Sequence, residues 1–169
     1  MKEIIATNGM IIKVDDSDFE YLNQWQWYAS KGKNKNTFYA KRSDYSDYKK
    51  EGRLRTVCMH REILQLKVSS ILVDHRDGDG LNNQRNNLRA ATPSQNAVNS
   101  VSRKGASSKY LGVSYHKQNG NWRAIVKKDY KNNHIGCFKT QEEAALAYNL
   151  KAIELFGEYA RLNVLTNAV

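Results

Sequence analysis

The sequence predicts an α+β protein made of two small modules. Before residue 100, a strand, a turn rich in Asp, Asn and Gly, a second strand and a capped helix follow one another within about thirty residues. After Tyr110, three short strand-forming segments separated by Gly and Asn turns lead into one long helical segment. The polar stretch between the modules has the composition of a linker. Because 169 residues suffice for one ordinary domain or two small ones, we expect domains at 1–100 and 110–165 and a linker at 101–109.

The charge balance indicates a polyanionic partner. Lysine and arginine total 27 against 17 aspartate and glutamate residues, which gives a formal net charge of +10. A field of that sign attracts polyanions, most simply the phosphate backbone of a nucleic acid. Charge alone leaves open the alternative of a basic protein that uses lysine to stay soluble. The choice between a nucleic-acid partner and this alternative therefore depends on the motifs.

Cysteine usage and hydropathy favour a reducing compartment. Cys58 and Cys137 are far apart and neither has a CxxC partner, so neither a disulfide framework nor a structural zinc cluster is expected. No stretch approaches the roughly 20 apolar residues of a membrane span or the shorter apolar core of a signal peptide. We therefore expect a cytoplasmic protein that is not secreted and has no membrane partner.

The N-terminal segments predict a small core rich in aromatic residues. Gly9–Val14 is typical of a strand, and Asp15–Ser17 supply cap residues for a short helix. Trp25–Tyr28 and Phe38–Tyr39, on either side of a polar turn, are typical of a hairpin whose rings fill the core. The remaining segments are predicted as an exposed charged ribbon at Lys41–Arg55 and a helix at Val57–Leu66.

Three polar residues lie at the ends of predicted elements that pack together. Asp74 and His75 follow a β-branched strand, and Thr92 begins a helix through a capping box with Pro at its first position. Asn96 falls near the first turn of that helix, which packs across the hairpin and would bring Asn96 opposite Asp74 and His75. Aspartate and asparagine oxygens suit a hard cation such as Mg²⁺ or Mn²⁺, and the imidazole is placed to activate water.

A purely structural interpretation explains part of this segment. Residues 77–83 are rich in Asp, Asn and Gly because those residues tolerate tight turns. It explains neither Asp74-His75 after a buried strand nor Asn96 inside a helix, where asparagine is a poor choice unless its amide is needed. The chemical interpretation of these three residues is therefore preferred.

The string VDHRDGDGLNNQRNNLRAATPSQN, residues 73–96, with an upstream MHRE, resembles the HNH nucleases of phages and introns. The resemblance implies a ββα-metal fold in which Asp74 and Asn96 bind one divalent metal ion and His75 is the general base. It also implies that Asn87 supports the loop between the hairpin strands through side-chain to backbone hydrogen bonds. His60 and Arg61 match the upstream element and are predicted to contact phosphate, with a packed or capping histidine as the alternative.

The C-terminal module resembles the AP2 domain of plant transcription factors and mobile endonucleases. The resemblance rests on YLGV at 110–113, Trp122, the run HIGCFKTQEEAALAYN at 134–149 and GEYARLN at 157–163. It implies a three-stranded sheet that lies in the DNA major groove, with the helix on its other face. Eight Lys or Arg against one Asp between Arg103 and Lys131 agree with such a surface. The predicted DNA contacts in the whole chain are His60, Arg61, Arg89, His116, Trp122, Arg123, Lys127 and His134. For Trp122 the alternative is a core position between the sheet and the helix.

The two resemblances together imply a homing-type DNA endonuclease of a bacterial or phage-infected cell. The AP2-like module would locate a site on double-stranded DNA, and the HNH half would hydrolyse a phosphodiester bond with Mg²⁺ or Mn²⁺. No obligatory protein partner is evident, and a homodimer stays open. The alternatives are a sequence-specific DNA-binding regulator with a non-catalytic HNH scaffold, and an RNA-binding protein, which lacks a recognised single-strand platform.

Overall fold

The computed structural model describes residues 1–32, 37–46, 48, 52, 54–98, 106–129 and 131–165, and the chain forms two compact units, 1–91 and 92–169. The elements of the first unit are β1 (Lys2–Ile5), β2 (Ile11–Val14), α1 (Asp16–Leu22), β3 (Tyr28–Lys31), β4 (Phe38–Asp44), β5 (Arg55–Cys58), α2 (Met59–Ile63), β6 (Leu72–His75) and β7 (Leu88–Ala91). Those of the second are α3 (Pro93–Val98), β8 (Val113–His116), β9 (Asn121–Lys128), β10 (Lys131–Phe138), α4 (Gln141–Phe156) and a 3₁₀ helix (Gly157–Tyr159). Mixed helices and antiparallel sheets confirm the predicted α+β class. None of these helices is long and apolar enough to cross a membrane.

The first unit packs three antiparallel sheets around one aromatic and aliphatic core. The sheets are the hairpin β1-β2, the three strands β3-β4-β5 and the hairpin β6-β7. Ile12 and Val14 alternate with exposed neighbours on β2 and are completely buried, as the period of a half-buried strand requires. Trp27 is also buried, and its indole Nε1 donates to the Leu22 carbonyl at 2.8 Å, which joins the end of α1 to the core.

The core also holds the long loop between β6 and β7. Leu81, in the middle of this loop, belongs to the buried cluster. Its carbonyl accepts from the Lys13 N–H at 2.9 Å, and the Asn83 N–H donates to the Lys13 carbonyl at 2.8 Å. The loop therefore lies along β2 as an added strand-like segment, although its sequence has only the composition of a turn.

Three local predictions in this unit are wrong in detail. The helix expected over Val57–Leu66 is the end of strand β5 followed by the short helix α2, and the ribbon expected at Lys41–Arg55 begins as strand β4. Asp15 precedes α1 but makes no side-chain cap. Its carboxylate instead accepts from the Arg85 N–H at 2.8 Å and from Gln84 Nε2 at 3.2 Å, both in the loop between β6 and β7.

The second unit has the predicted three strands and one helix. Its strands are antiparallel in the order β10-β9-β8, and the small buried residues Ala144, Ala145 and Ala152 let α4 lie close to the sheet. Thr140 Oγ1 accepts from the Glu143 N–H at 3.2 Å, so the predicted capping box is confirmed. Gly112 has φ of +70°, and a Cβ there would lie 2.2 Å from the Tyr148 ring, which explains the glycine of YLGV.

Ser108 and Asn163 lie on either side of the region from β8 to α4, and both make hydrogen bonds to residues of that region. Ser108, at the end of the predicted linker, is buried, and its Oγ bonds to Gln141 Oε1 at 3.2 Å. Asn163 Oδ1 accepts from the Leu111 N–H at 2.6 Å, and its own N–H donates to Asn149 Oδ1 at 2.7 Å. Residues 106–109 are thus part of the second unit, while residues 101–105 of the predicted linker lie outside the described residues.

Helix α3 has the predicted start but groups with the second unit. Thr92 and Gln95 form the expected capping box, with the Thr92 N–H donating to Gln95 Oε1 at 2.8 Å. Ser94 Oγ accepts from the Asp129 N–H at 3.1 Å, which ties this helix to the β9-β10 turn. Its predicted packing across the β6-β7 hairpin stays a prediction.

Candidate active site and DNA-binding face

The hairpin β6-β7 places Asp74 and His75 at the end of a buried strand. Asp74 pairs across the sheet with Arg89, and His75 pairs with Leu88. The side chain of Asp74 is 3% exposed and that of His75 is 5% exposed. Two polar side chains at this depth require specific partners, because burial of an unpaired polar group costs free energy.

Asp74 has an arginine partner. Arg89 Nε donates to Asp74 Oδ2 at 2.8 Å, and Arg89 Nη2 lies 2.6 Å from the same oxygen. Arg89 is itself only 9% exposed. The prediction that Arg89 contacts DNA is therefore corrected: directly opposed residues of an antiparallel pair lie side by side, so this arginine is held inside the hairpin by Asp74.

His75 lies in an aromatic environment. Its ring centroid is 5.3 Å from that of His60 and 5.8 Å from that of Tyr39, and Tyr39 and His60 are also 5.8 Å apart. We call Tyr39, His60 and His75 the ring cluster. Burial lowers the pKa of His75 from its ordinary value, against the opposing effects of the Asp77 charge and a side-chain hydrogen bond with Asn83. The imidazole is thus held in the neutral form, which is the form that accepts a proton.

His60 and Arg61 are both held in the segment that precedes β6. Burial, with a smaller contribution from the Arg61 charge, lowers the pKa of His60 to about 3, so its imidazole is neutral. The Arg61 guanidinium donates to the carbonyls of Ile71, Val68 and Leu66 at 2.6, 2.6 and 3.1 Å. Both residues thus help to build the segment that precedes β6, and their predicted phosphate contact stays a prediction.

Asn87 and Asp77 hold the loop between β6 and β7. Asn87 Oδ1 accepts from the Asp77 N–H at 3.1 Å, and its Nδ2 donates to the Asn82 carbonyl at 2.8 Å and to Asp77 Oδ1 at 3.0 Å. Asp77 also accepts from the Asp79 N–H at 2.8 Å and from Asn82 Nδ2 at 2.7 Å. Asn87 therefore makes the side-chain to backbone bonds that the resemblance implies, and Asp77 is a second organising residue that the sequence interpretation had placed in a simple turn.

The donor chemistry of this site fits a hard divalent cation. Within the described part of the chain, no group of three or more His, Cys, Asp or Glu side chains is arranged to hold a metal ion. Mg²⁺, however, is commonly bound through one or two carboxylates, with water and substrate phosphate completing its coordination. The carboxylate of Asp74 matches that donor set, and its charge acts on the imidazole of His75, although a cation would share Asp74 with Arg89. Asn96 lies in α3 of the second unit, so its part in the site remains a prediction.

Among the described residues of the second unit, no helix covers one face of the sheet. Ala124 and Val126 of β9 are buried in the clusters that contain α4, so the alternate residues Arg123 and Lys127 lie on the opposite face. Cross-strand pairing adds further residues to this face, because opposed residues share a face. The open face therefore contains Ser114, His116, Asn121, Arg123, Ile125, Lys127, Asn132, His134 and Cys137.

Trp122 is not on this open face. Its ring packs against the buried cluster of Tyr110, Val113 and Ala144, and it contacts the Tyr115 ring at a centroid distance of 5.0 Å. Its prediction as a DNA contact is corrected for a geometric reason: consecutive strand residues point to opposite faces, so Trp122 and Arg123 cannot both face DNA. The predicted contacts His116, Arg123, Lys127 and His134 do share one face.

Comparison with known proteins supports both halves of this description. An uncharacterized HNH endonuclease of Acanthamoeba polyphaga mimivirus is 37% identical over 147 residues, which cover 84% of this chain and 68% of the viral protein. The chain belongs to the HNH endonuclease family. A protein of Escherichia phage T7 called Protein 3.8 is 34% identical to this HNH endonuclease over 89 residues, which are 53% of the chain and 73% of the phage protein. No protein-family model matches the chain.

The C-terminal half of this HNH endonuclease is AP2-like. An AP2-like ethylene-responsive transcription factor of Arabidopsis thaliana is 45% identical over 62 residues. The match covers 36% of the chain but only 17% of the plant protein, so it concerns one module alone. Together with the three-stranded sheet and the helix α4, the match shows an AP2-like domain joined to the HNH half.

Two features of the site were not predicted from the sequence: the contact of Tyr39 with His75, and the ion pair between Asp74 and Arg89. Tyr39 is part of the ring cluster, yet its sequence context indicates only a core aromatic residue of a hairpin. Asp74 and Arg89 form an ion pair, and the antiparallel register of β6 and β7 is the signal that would have found it. The sequence alone does not give that register, because the loop between the two strands is long.

Proposed function

We propose that the HNH endonuclease is a site-specific DNA endonuclease of the homing type that requires Mg²⁺ or Mn²⁺. The observation that carries this proposal is the buried pair of Asp74 and His75 at the end of β6, beside a loop fixed by Asn87. Asp74 would supply one metal ligand, and the neutral imidazole of His75 would supply one proton acceptor. Membership of the HNH family supports the assignment of hydrolysis to this pair.

In this proposal each residue has one task. His75 accepts a proton from the water that attacks the phosphodiester. Asp74 and Asn96 hold the cation, and Arg89 fixes the orientation of the Asp74 carboxylate through its two contacts with Oδ2. The bound metal ion would stabilise negative charge on the phosphate and on the leaving oxygen. Asn87 keeps the adjoining loop in shape and takes no part in the chemistry.

The proposed test is cleavage of supercoiled plasmid carrying phage or genomic inserts. With Mg²⁺ or Mn²⁺ we expect conversion to open-circular or linear DNA, and with EDTA we expect none, because Asp74 alone cannot polarise the phosphate. A gel shift in EDTA should still show DNA binding, since that depends on the second unit. Binding without cleavage in either metal, with cognate inserts included, would contradict the nuclease assignment.

The open face of the second unit is proposed as the surface that binds double-stranded DNA. Arg123 and Lys127 supply positive charge there. Lys127 and His134 are exposed on this face, where a polar ligand can reach them. The similarity to AP2 proteins supports the same surface.

Lys127→Ala is expected to weaken binding to all DNA sequences by a similar factor. Loss of one phosphate contact should lower the slope of log K against log salt by about 1. Fluorescence anisotropy at several salt concentrations measures this. Lys151→Ala is the matched control, because it removes the same charge from α4 on the other side of the sheet, where Lys151 pairs with Glu154 at 2.6 Å. An equal fall in slope for both variants would show general charge attraction and no defined face.

One observation favours the second candidate, a sequence-specific DNA-binding regulator that retains the HNH half as a scaffold. Arg89 already neutralises Asp74 in a buried ion pair. A carboxylate so engaged can be structural, and the plasmid assay decides between the two functions. The regulator predicts tight, sequence-dependent binding that neither metal converts to cleavage.

A further inference from the structure

Tyr39 is held firmly against the loop that follows His75. A Cβ added at Gly80 would lie 2.7 Å from a Tyr39 ring carbon and 2.3 Å from the Phe38 carbonyl oxygen. On the other side, a Cβ at Gly32 would also lie 2.7 Å from the Tyr39 ring. The ring is therefore fixed between two glycine backbones, and a side chain at either position would displace it.

His60 closes a second side of the His75 ring. Its plane makes an angle of 86° with that of His75, and the plane of Tyr39 makes 58° with His75 and 75° with His60. These are edge-to-face and tilted contacts, the arrangements that aromatic rings prefer. His60 comes from α2 and Tyr39 from β4, so two separate elements bound the imidazole.

The shape of His60, more than its nitrogen chemistry, is what the structure uses. Its Nδ1 is buried without a hydrogen-bond partner among the described residues, and its imidazole is neutral. A nitrogen that makes no bond contributes little to stability, and an apolar ring of similar size should replace it without loss.

We propose that Tyr39 and His60 are positioning residues that fix the ring plane of His75 for proton abstraction. The proposal rests on the proposed nuclease function and extends it to residues that neither bind metal nor touch DNA. An imidazole rotates about two side-chain bonds, and a base that leaves its productive orientation loses rate while substrate affinity is unchanged. The ring cluster limits that freedom through contacts on two sides of the imidazole, in addition to the side-chain hydrogen bond with Asn83.

The test compares paired variants by single-turnover cleavage at saturating DNA, with the dissociation constant measured separately. His60→Ala and Tyr39→Leu should each lower the cleavage rate about 100-fold at an unchanged dissociation constant, as expected when a reacting group is misplaced by about 1 Å. His60→Phe and Tyr39→Phe keep the rings and should restore most of the rate. Equal losses for His60→Ala and His60→Phe would overturn the proposal, because they would show that a nitrogen of His60 takes part in the chemistry.

Phe38→Leu is the matched control for lost stability. Phe38 is the neighbour of Tyr39 on β4, and its side chain packs against the buried core. Alternation along the strand turns it away from His75, so this variant should lose stability as Tyr39→Leu does but keep the cleavage rate. A rate loss in Phe38→Leu equal to that in Tyr39→Leu would refute positioning.

The nuclease function and the positioning role of the ring cluster can be refuted independently. A wild-type protein that cleaves no DNA with Mg²⁺ or Mn²⁺ removes the proposed function, and the positioning role with it. A wild-type protein that cleaves, together with His60→Ala and Tyr39→Leu variants that cleave as fast, leaves the nuclease assignment intact and overturns the positioning role alone.

Discussion

Replacing His75 with alanine is expected to lower the rate of DNA cleavage by about 100- to 10,000-fold, the range for loss of a general base. The imidazole is buried at the end of β6, beside the carboxylate of Asp74, and no other histidine is so placed in the described residues. DNA affinity should be unchanged, because the proposed binding face is in the second unit. Single-turnover cleavage at saturating DNA and a gel shift measure the two quantities independently.

Val73→Ala is the control for this experiment. Val73 lies two residues before His75, on the same face of β6, and packs against the buried core, so its truncation costs packing on that face but keeps the imidazole. If His75→Ala and Val73→Ala lower cleavage equally, the loss comes from a damaged hairpin and His75 is not the base. If His75→Ala cleaves at the wild-type rate, the general-base assignment fails outright.

Local sequence signals predicted what depends on neighbours in the chain. The capping boxes at Thr92 and Thr140 are set by residues three positions apart, and both are present. The strands β8, β9 and β10 are separated by turns that the sequence indicates, and the three predicted antiparallel strands are present. Predictions of this kind succeed because the bonds that define them close within one turn of backbone.

What the sequence could not predict depends on distant contacts. Tyr39 reaches His75 only because β4 and β6 are brought together by the core, and nothing near Tyr39 in the chain indicates that contact. Asp15 has the residue type of a helix cap, but its carboxylate binds the backbone of Arg85. Trp122 differs from these two cases, because strand periodicity alone places it on the opposite face from Arg123 and favours the core position.

Replacing Arg89 with methionine is expected to destabilise the first unit by about 3–5 kcal/mol, the cost of removing one partner from a buried ion pair. Asp74 would keep its charge at 3% exposure without the guanidinium that lies 2.6 Å away. Urea unfolding followed by tryptophan fluorescence measures the change, with Trp25 and Trp27 both reporting on this unit. Adding Asp74→Asn should restore part of the stability but none of the cleavage, because it also removes the proposed metal ligand.

Arg85→Met provides the comparison that isolates burial. Arg85 also contacts an aspartate through two nitrogens, at 2.8 and 2.7 Å from Asp18, but its side chain is 51% exposed. Arg85→Met should cost less stability than Arg89→Met, because the Arg85 guanidinium is half exposed to water, although Asp18 itself is only 11% exposed. Equal losses for the two arginines would contradict a special role for the buried guanidinium. Unfolding in saturating Mg²⁺ separates the structural role of Asp74 from metal binding. A cation that binds Asp74 should raise the free energy of unfolding more in Arg89→Met than in wild type, because the cation then no longer shares the carboxylate with Arg89. A variant that gains nothing from Mg²⁺ or Mn²⁺ would show that Asp74 serves the hairpin alone, and the regulator would become the better description of this chain.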